Sequence, residues 1–154
     1  MKQLKSAVLM LFVFALAISS CKKDKGDDAS SDPSFSAKVA GTTKTSMNAP
    51  VAMHYASEKT LQIMGQFSGG SGISIMVQEP KVGTFNVGSD EVMVSYLANT
   101  STSGNYMGVS GNVKITEWSS SRVKGTFEFT GEVLGGGPTM VISEGKFDAK
   151  VSSM

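Results

Sequence analysis

Residues 122–133 read RVKGTFEFTGEV, and this stretch decides the fold class. Val123, Gly125, Phe127, Phe129, Gly131 and Val133 fall on one side of an extended chain. Arg122, Lys124, Thr126, Glu128, Thr130 and Glu132 fall on the other. A period of two marks a strand with one wet face, whereas a helix would scatter both sets around its axis. The same alternation spreads in both directions. Phe35, Ala37 and Val39 alternate with Ser36 and Lys38, and Leu61, Ile63, Gly65 and Phe67 alternate with Gln62 and Gln66. Ile73, Ile75 and Val77 follow the turn residues 68–71, SGGS, which predicts a hairpin. Met107, Val109, Gly111, Val113 and Ile115 make another long apolar face, and Phe147, Ala149 and Val151 the last. Shorter strands are predicted over 51–55, 83–87, 92–97 and 139–143. Turn residues separate the runs, and no segment after residue 34 carries a helical stripe. About eight to ten antiparallel strands with short connections make residues 34–154 a single all-β domain, a β-sandwich or flattened β-barrel.

The N-terminal part has a different character. Lys2 and Lys5 precede an uncharged run of twelve residues, 7–18, that suits a signal-peptide core. That run is shorter than the roughly 18 residues a spanning helix needs. Leu16, Ala17, Ile18, Ser19 and Ser20 then lead into Cys21, the single cysteine of the chain. A branched apolar residue followed by small residues and a cysteine is the pattern of a bacterial lipobox. It predicts a signal peptide over 1–20, cleavage between Ser20 and Cys21, and lipidation of Cys21. Cys21 has no partner for an intrachain disulfide. Two or three acyl chains hold a protein to a membrane where one chain binds only marginally. Residues 22–33, KKDKGDDASSDP, contain seven charges and no large apolar side chain. They bury too little to offset ordering entropy, so 21–33 is predicted to be the lipidated cysteine and a flexible tether.

Several motifs together, namely the lipobox, the Lys/Asp-rich tether, FSAKVAGT at 35–42, GTFNVG at 83–88, RVKGTFEFT at 122–130 and ISEGKFDAKV at 142–151, resemble the small single-domain lipoproteins of Bacteroidota. The resemblance covers the whole chain and implies an all-β domain on the cell envelope, foremost at the outer membrane. It lends no catalytic residue. Lys22-Lys23-Asp24 loosely resembles the surface-export signal of such proteins, and Lys25 and Gly26 interrupt it.

Composition narrows the chemistry. Without residues 1–20 the chain has 12 basic and 13 acidic side chains, Lys2 and Lys5 having gone with the leader, and this near-neutrality argues against nucleic acid as a partner. His54 is the single histidine, and no Gly-x-Ser-x-Gly elbow supports a hydrolase built on it. It reads as a polar residue on the wet face of a strand. One histidine and one acylated cysteine are too few for a zinc site, and no cofactor is implied. Glu128 and Glu132 share a strand face, but their backbones lie roughly 13 Å apart at the usual strand rise, wide for a catalytic pair. No catalytic residue is expected.

Methionine is the unusual element. Eight of the ten methionines lie beyond residue 20. Met64 and Met76 oppose the apolar faces of their strands, and Met93 and Leu97 oppose Val92, Val94 and Tyr96. These four residues, Met64, Met76, Met93 and Leu97, form a candidate ligand surface, since the thioether side chain adapts to varied shapes. Copper held by Met53, His54 and nearby thioethers is a further, weaker idea, and Tyr55, Tyr96, Tyr106 and Trp118 a candidate glycan platform. The leading expectation is a non-catalytic binding or scaffolding domain, anchored to the membrane through acyl chains on Cys21, whose partner is a protein, glycan or apolar ligand. The alternative is a carrier holding a small apolar or lipid-like molecule in a barrel or cleft, which predicts an internal apolar cavity lined by Met64, Met76, Met93 or Leu97.

Overall fold

The computed structural model describes residues 32–99 and 104–154 and builds them mainly from ten strands. In chain order these are β1 Ser34–Val39, β2 Thr42–Thr45, β3 Val51–Tyr55, β4 Thr60–Gln66, β5 Gly72–Gln78, β6 Gly83–Asn86, β7 Val92–Leu97, β8 Asn105–Trp118, β9 Arg122–Val133 and β10 Thr139–Ser153. The all-β class follows from the alternation, and β9 shows why. Val123, Gly125, Phe127, Phe129 and Gly131 are buried, while the residues between them are half-buried or exposed.

All ten strands belong to one sheet, in the order β2-β1-β10-β3-β4-β5-β7-β8-β6. β9 lies off that path and pairs β10 along one edge and β8 along the other, which closes a partial ring. Pairing is antiparallel except between β10 and β3, where Lys150–Ser153 run alongside Val51–His54. The β4–β5 hairpin forms as its turn residues predict, around a short 3-10 turn at Ser68–Gly70. Among the described residues no helix is long and apolar enough to cross a membrane.

The inner face is aromatic and aliphatic. Phe127 sits at its centre, with ring centroids 5.2 Å from Phe35, 6.3 Å from Phe147 and 6.4 Å from Phe129. Leu61, Ile63, Ile75, Val77, Val113, Ile115 and Ile142 are fully buried around these rings. Gly125 of β9 is hemmed in from both neighbouring strands. A Cβ there would meet the Lys114 carbonyl oxygen and the Phe147 ring, so the phenylalanine uses the space that a side chain would occupy.

Three bulges bend the longest strands, and they alter the simple alternation. In β8 the register slips between Gly108 and Ser110 and again between Ile115 and Glu117. An extra residue in one strand exchanges its faces beyond that point. Val113 and Ile115 therefore point inward, as their period predicts, but Met107 is only half-buried and Val109 is exposed. The inward residues of that segment are Tyr106 and Gly108, which pair with Val133 and Gly131 of β9. In β10 a slip between Ile142 and Gly145, with Glu144 at φ 50°, joins the separate strands expected at 139–143 and 147–151 into one bent strand. β2 has too little apolar character to be seen in the pattern. It follows β1 through Ala40 and Gly41, both at positive φ, the backbone of a tight hairpin turn.

Candidate functional site

The outer face of β3, β4, β5, β7 and the start of β8 carries the methionines. Cross-strand partners point to the same side of a sheet, so the register shows which residues share this face. One row runs Met53, Gln62, Met76, Met93 across β3, β4, β5 and β7. The next runs Val51, Met64, Ser74, Ser95, Met107 and reaches β8. Leu97 lies on the same face opposite Gly72. Met93 is 57% exposed and Leu97 37%, while Met53, Met64, Met76 and Met107 are half-buried among their neighbours. The four residues singled out by the sequence thus share one outer face. Met107 joins them because the β8 bulge turns it outward.

Met76, Met93 and Met107 line a surface groove of about 340 Å³, together with Gln78, Val92, Gly108 and the loop residues Gly88, Ser89 and Asp90. Met64 and Leu97 lie on the same face beyond it. The loop wall is held in place locally. The Ser89 hydroxyl donates to the Asn86 carbonyl at 2.7 Å and accepts from the Glu91 amide at 3.3 Å. The groove is open to solvent, and the interior is occupied by Phe35, Phe127 and their neighbours. The internal cavity expected for a carrier is therefore replaced by an outer groove, because Met64, Met76, Met93 and Leu97 all have their backs to the core.

The outer face of β8, β9 and β10 is ionic. Arg122 donates to both carboxylate oxygens of Asp148, from Nε at 2.7 Å and from Nη2 at 2.8 Å. Lys124 Nζ lies 3.3 Å from Glu117 Oε2 and 4.0 Å from Asp148 Oδ2. Asn112 donates to Glu128 at 3.0 Å. The hydrogen bond to Asp148 is the main cause that raises the Arg122 pKa above its ordinary value, ahead of the opposing desolvation and the charges of Asp148 and Glu117. Glu128 is thus tied to Asn112, within a surface of mixed charge.

Two ends of the sheet carry the remaining candidates. His54 pairs with the fully buried Leu61, so its side chain is on the inner side and not the wet face. The parallel β10–β3 pairing ends at this residue, which lies opposite Ser153. Its ring meets Trp118 edge to face, with centroids 5.2 Å apart and an 82° interplanar angle. Lys59, Glu79, Pro80 and Lys81 complete an open groove there. At the opposite end of β4 and β5, Lys44 donates to the Ser71 and Tyr96 hydroxyls, each at 3.3 Å. Tyr96 stacks with Tyr106 at 6.1 Å, and Tyr55 donates to the Met53 sulfur at 3.7 Å. The four aromatics are dispersed over three places and form no common glycan platform. Among the described residues no cluster of three His, Cys, Asp or Glu side chains is arranged to hold a metal ion.

The family of the domain of unknown function DUF6252 matches residues 31–150. The chain belongs to that family. The match spans the strands from β1 into β10, so both outer faces are parts of the DUF6252 domain. No curated protein and no solved structure matches the chain. Ser20 and Cys21 lie outside the described residues and outside the matched DUF6252 segment.

Proposed function

We propose that this chain is a lipid-anchored, non-catalytic binding or scaffolding protein of the bacterial cell envelope, held at the outer membrane by acyl chains on Cys21. The observation that carries the anchoring reading is the sequence around Cys21: a basic start, a short apolar run, small residues and one cysteine. The position of the folded domain supports it. The first strand starts at Ser34, so residues 22–33 separate it from the cysteine. Fully extended, twelve residues reach about 40 Å, enough to hold the domain clear of a lipid headgroup layer. The binding reading rests on the contrast between a filled interior and an outer face with exposed apolar side chains, Val51, Met93 and Leu97 among them.

Cys21→Ala tests the anchor. Expressed in its host, the parent chain partitions into the membrane fraction and takes up labelled fatty acid. The variant appears in the soluble fraction without label. A variant that stays with the membrane after a salt wash would end the reading. Protease treatment of intact cells then separates a surface position from a periplasmic one.

A further inference from the structure

The methionine groove has a chemistry more specific than an apolar patch. Met76 and Met93 are direct cross-strand partners, and in such a pair the Cβ atoms stand about 5 Å apart. Met107 is opposite Ser95, two residues along β7 from Met93. That diagonal separation of roughly 7–8 Å is within reach of long side chains. All three methionines therefore line the same groove, with Gln78, Ser89 and Asp90 beside them.

We propose that Met76, Met93 and Met107 form a binding site for a soft monovalent metal ion, copper(I) or silver(I). Thioether sulfur is a neutral, polarisable ligand that selects soft ions and binds hard ones such as magnesium or calcium poorly. Three such donors drawn onto one ion would make a neutral trigonal set, with the Asp90 carboxylate on the same groove as a negative charge for the cation. The unbranched methionine side chain has three rotatable bonds, which lets the sulfurs converge without moving the strands. Met53 is separated from this set by Gln62 in its row and accepts the Tyr55 hydroxyl. His54 is on the other side of the sheet. The site is thus distinct from a Met53–His54 pair. It belongs to the folded domain and stands whether or not Cys21 is acylated.

The test uses the full chain carrying Cys21→Ala, in detergent, so that a free thiol cannot compete for the ion. Silver(I) is the first probe because it needs no reductant, and copper(I) the second, set against a chromogenic chelator. One equivalent of silver should bind. Replacing the three thioethers together, Met76→Leu, Met93→Leu and Met107→Leu, should weaken binding by at least about tenfold, the scale on which even outer-shell partners of a metal site act. His54→Ala should leave it unchanged. Because leucine keeps the apolar volume, circular dichroism should show the triple variant folded. If it is not folded, Met93→Leu alone, at the most exposed of the three, should still weaken binding. No binding by the parent, or binding that survives these substitutions, would overturn the proposal.

Discussion

One sheet presents two unlike outer faces. Behind both lies the same interior, in which Phe127 touches Phe35, Phe129 and Phe147. On β8, β9 and β10 several charged and amide side chains pair with one another: Arg122 with Asp148, Lys124 with Glu117, Asn112 with Glu128. On β3, β4, β5 and β7 the outer side chains are thioethers, glutamine amides and short hydroxyls without an ion pair among them, and Met93 and Leu97 are open to solvent. A face whose polar groups are already paired has little to offer a ligand. A face of adaptable apolar side chains is costly to leave in water and has contact area to give. The difference teaches that the strands share a packing role inside and divide their roles outside.

The interior gives the largest test, since disturbing it should unsettle both faces together. Phe127→Ala removes the central ring and should cost about 3–5 kcal/mol, the range for a buried phenylalanine. Urea unfolding measures it, and a loss under 1 kcal/mol would mean that the ring is not the hub described. Asp148→Ala comes next. It leaves Arg122 and Lys124 without their shared carboxylate, and the urea midpoint should fall clearly, though less than for Phe127→Ala. The raised pKa of Arg122 fixes the sign of the pH dependence on the alkaline side. A raised pKa contributes stability fully below the ordinary arginine value, and that stability is lost only as pH climbs through the raised one. The loss caused by Asp148→Ala should therefore be the same at neutral and at moderately alkaline pH.

The smallest effect on stability belongs to the methionine face. Met93→Leu keeps volume at an exposed position and should shift stability by no more than about 0.5 kcal/mol. If it destabilised the domain as much as Asp148→Ala, the methionines would be structural and the division between the faces would fail.

Much of this was legible in the residues. The period of two in β9 needs no tertiary knowledge, and the opposed sets at 92–97 place Met93 and Leu97 on the outer face correctly. Met107 and Val109 show where such reading stops. They keep the apolar period of Val113 and Ile115, yet the bulge at Gly108 and Ser110 turns them outward. Gly108 and Gly111, two glycines within one strand, were the available sign, since glycine in a strand interior often marks a bulge. The meeting of Met76, Met93 and Met107 depends on which strands are neighbours. β7 pairs β5 after β6 has gone to the far edge of β8, and nothing local in the sequence specifies that. His54 was misread for a related reason: its position on the inner side depends on pairing with Leu61, and its contact with Trp118 crosses from β3 to the end of β8.

The division of the two faces is tested most directly by methyl resonances of carbon-labelled methionine in the Cys21→Ala chain, followed as silver(I) is added. The account predicts that the signals of Met76, Met93 and Met107 move together and saturate at one equivalent, while those of Met47, Met140 and Met154 and the amides of Lys124 and Asp148 hold still. Signals that do not move, or that move alike over every methionine and the ionic face, would contradict it.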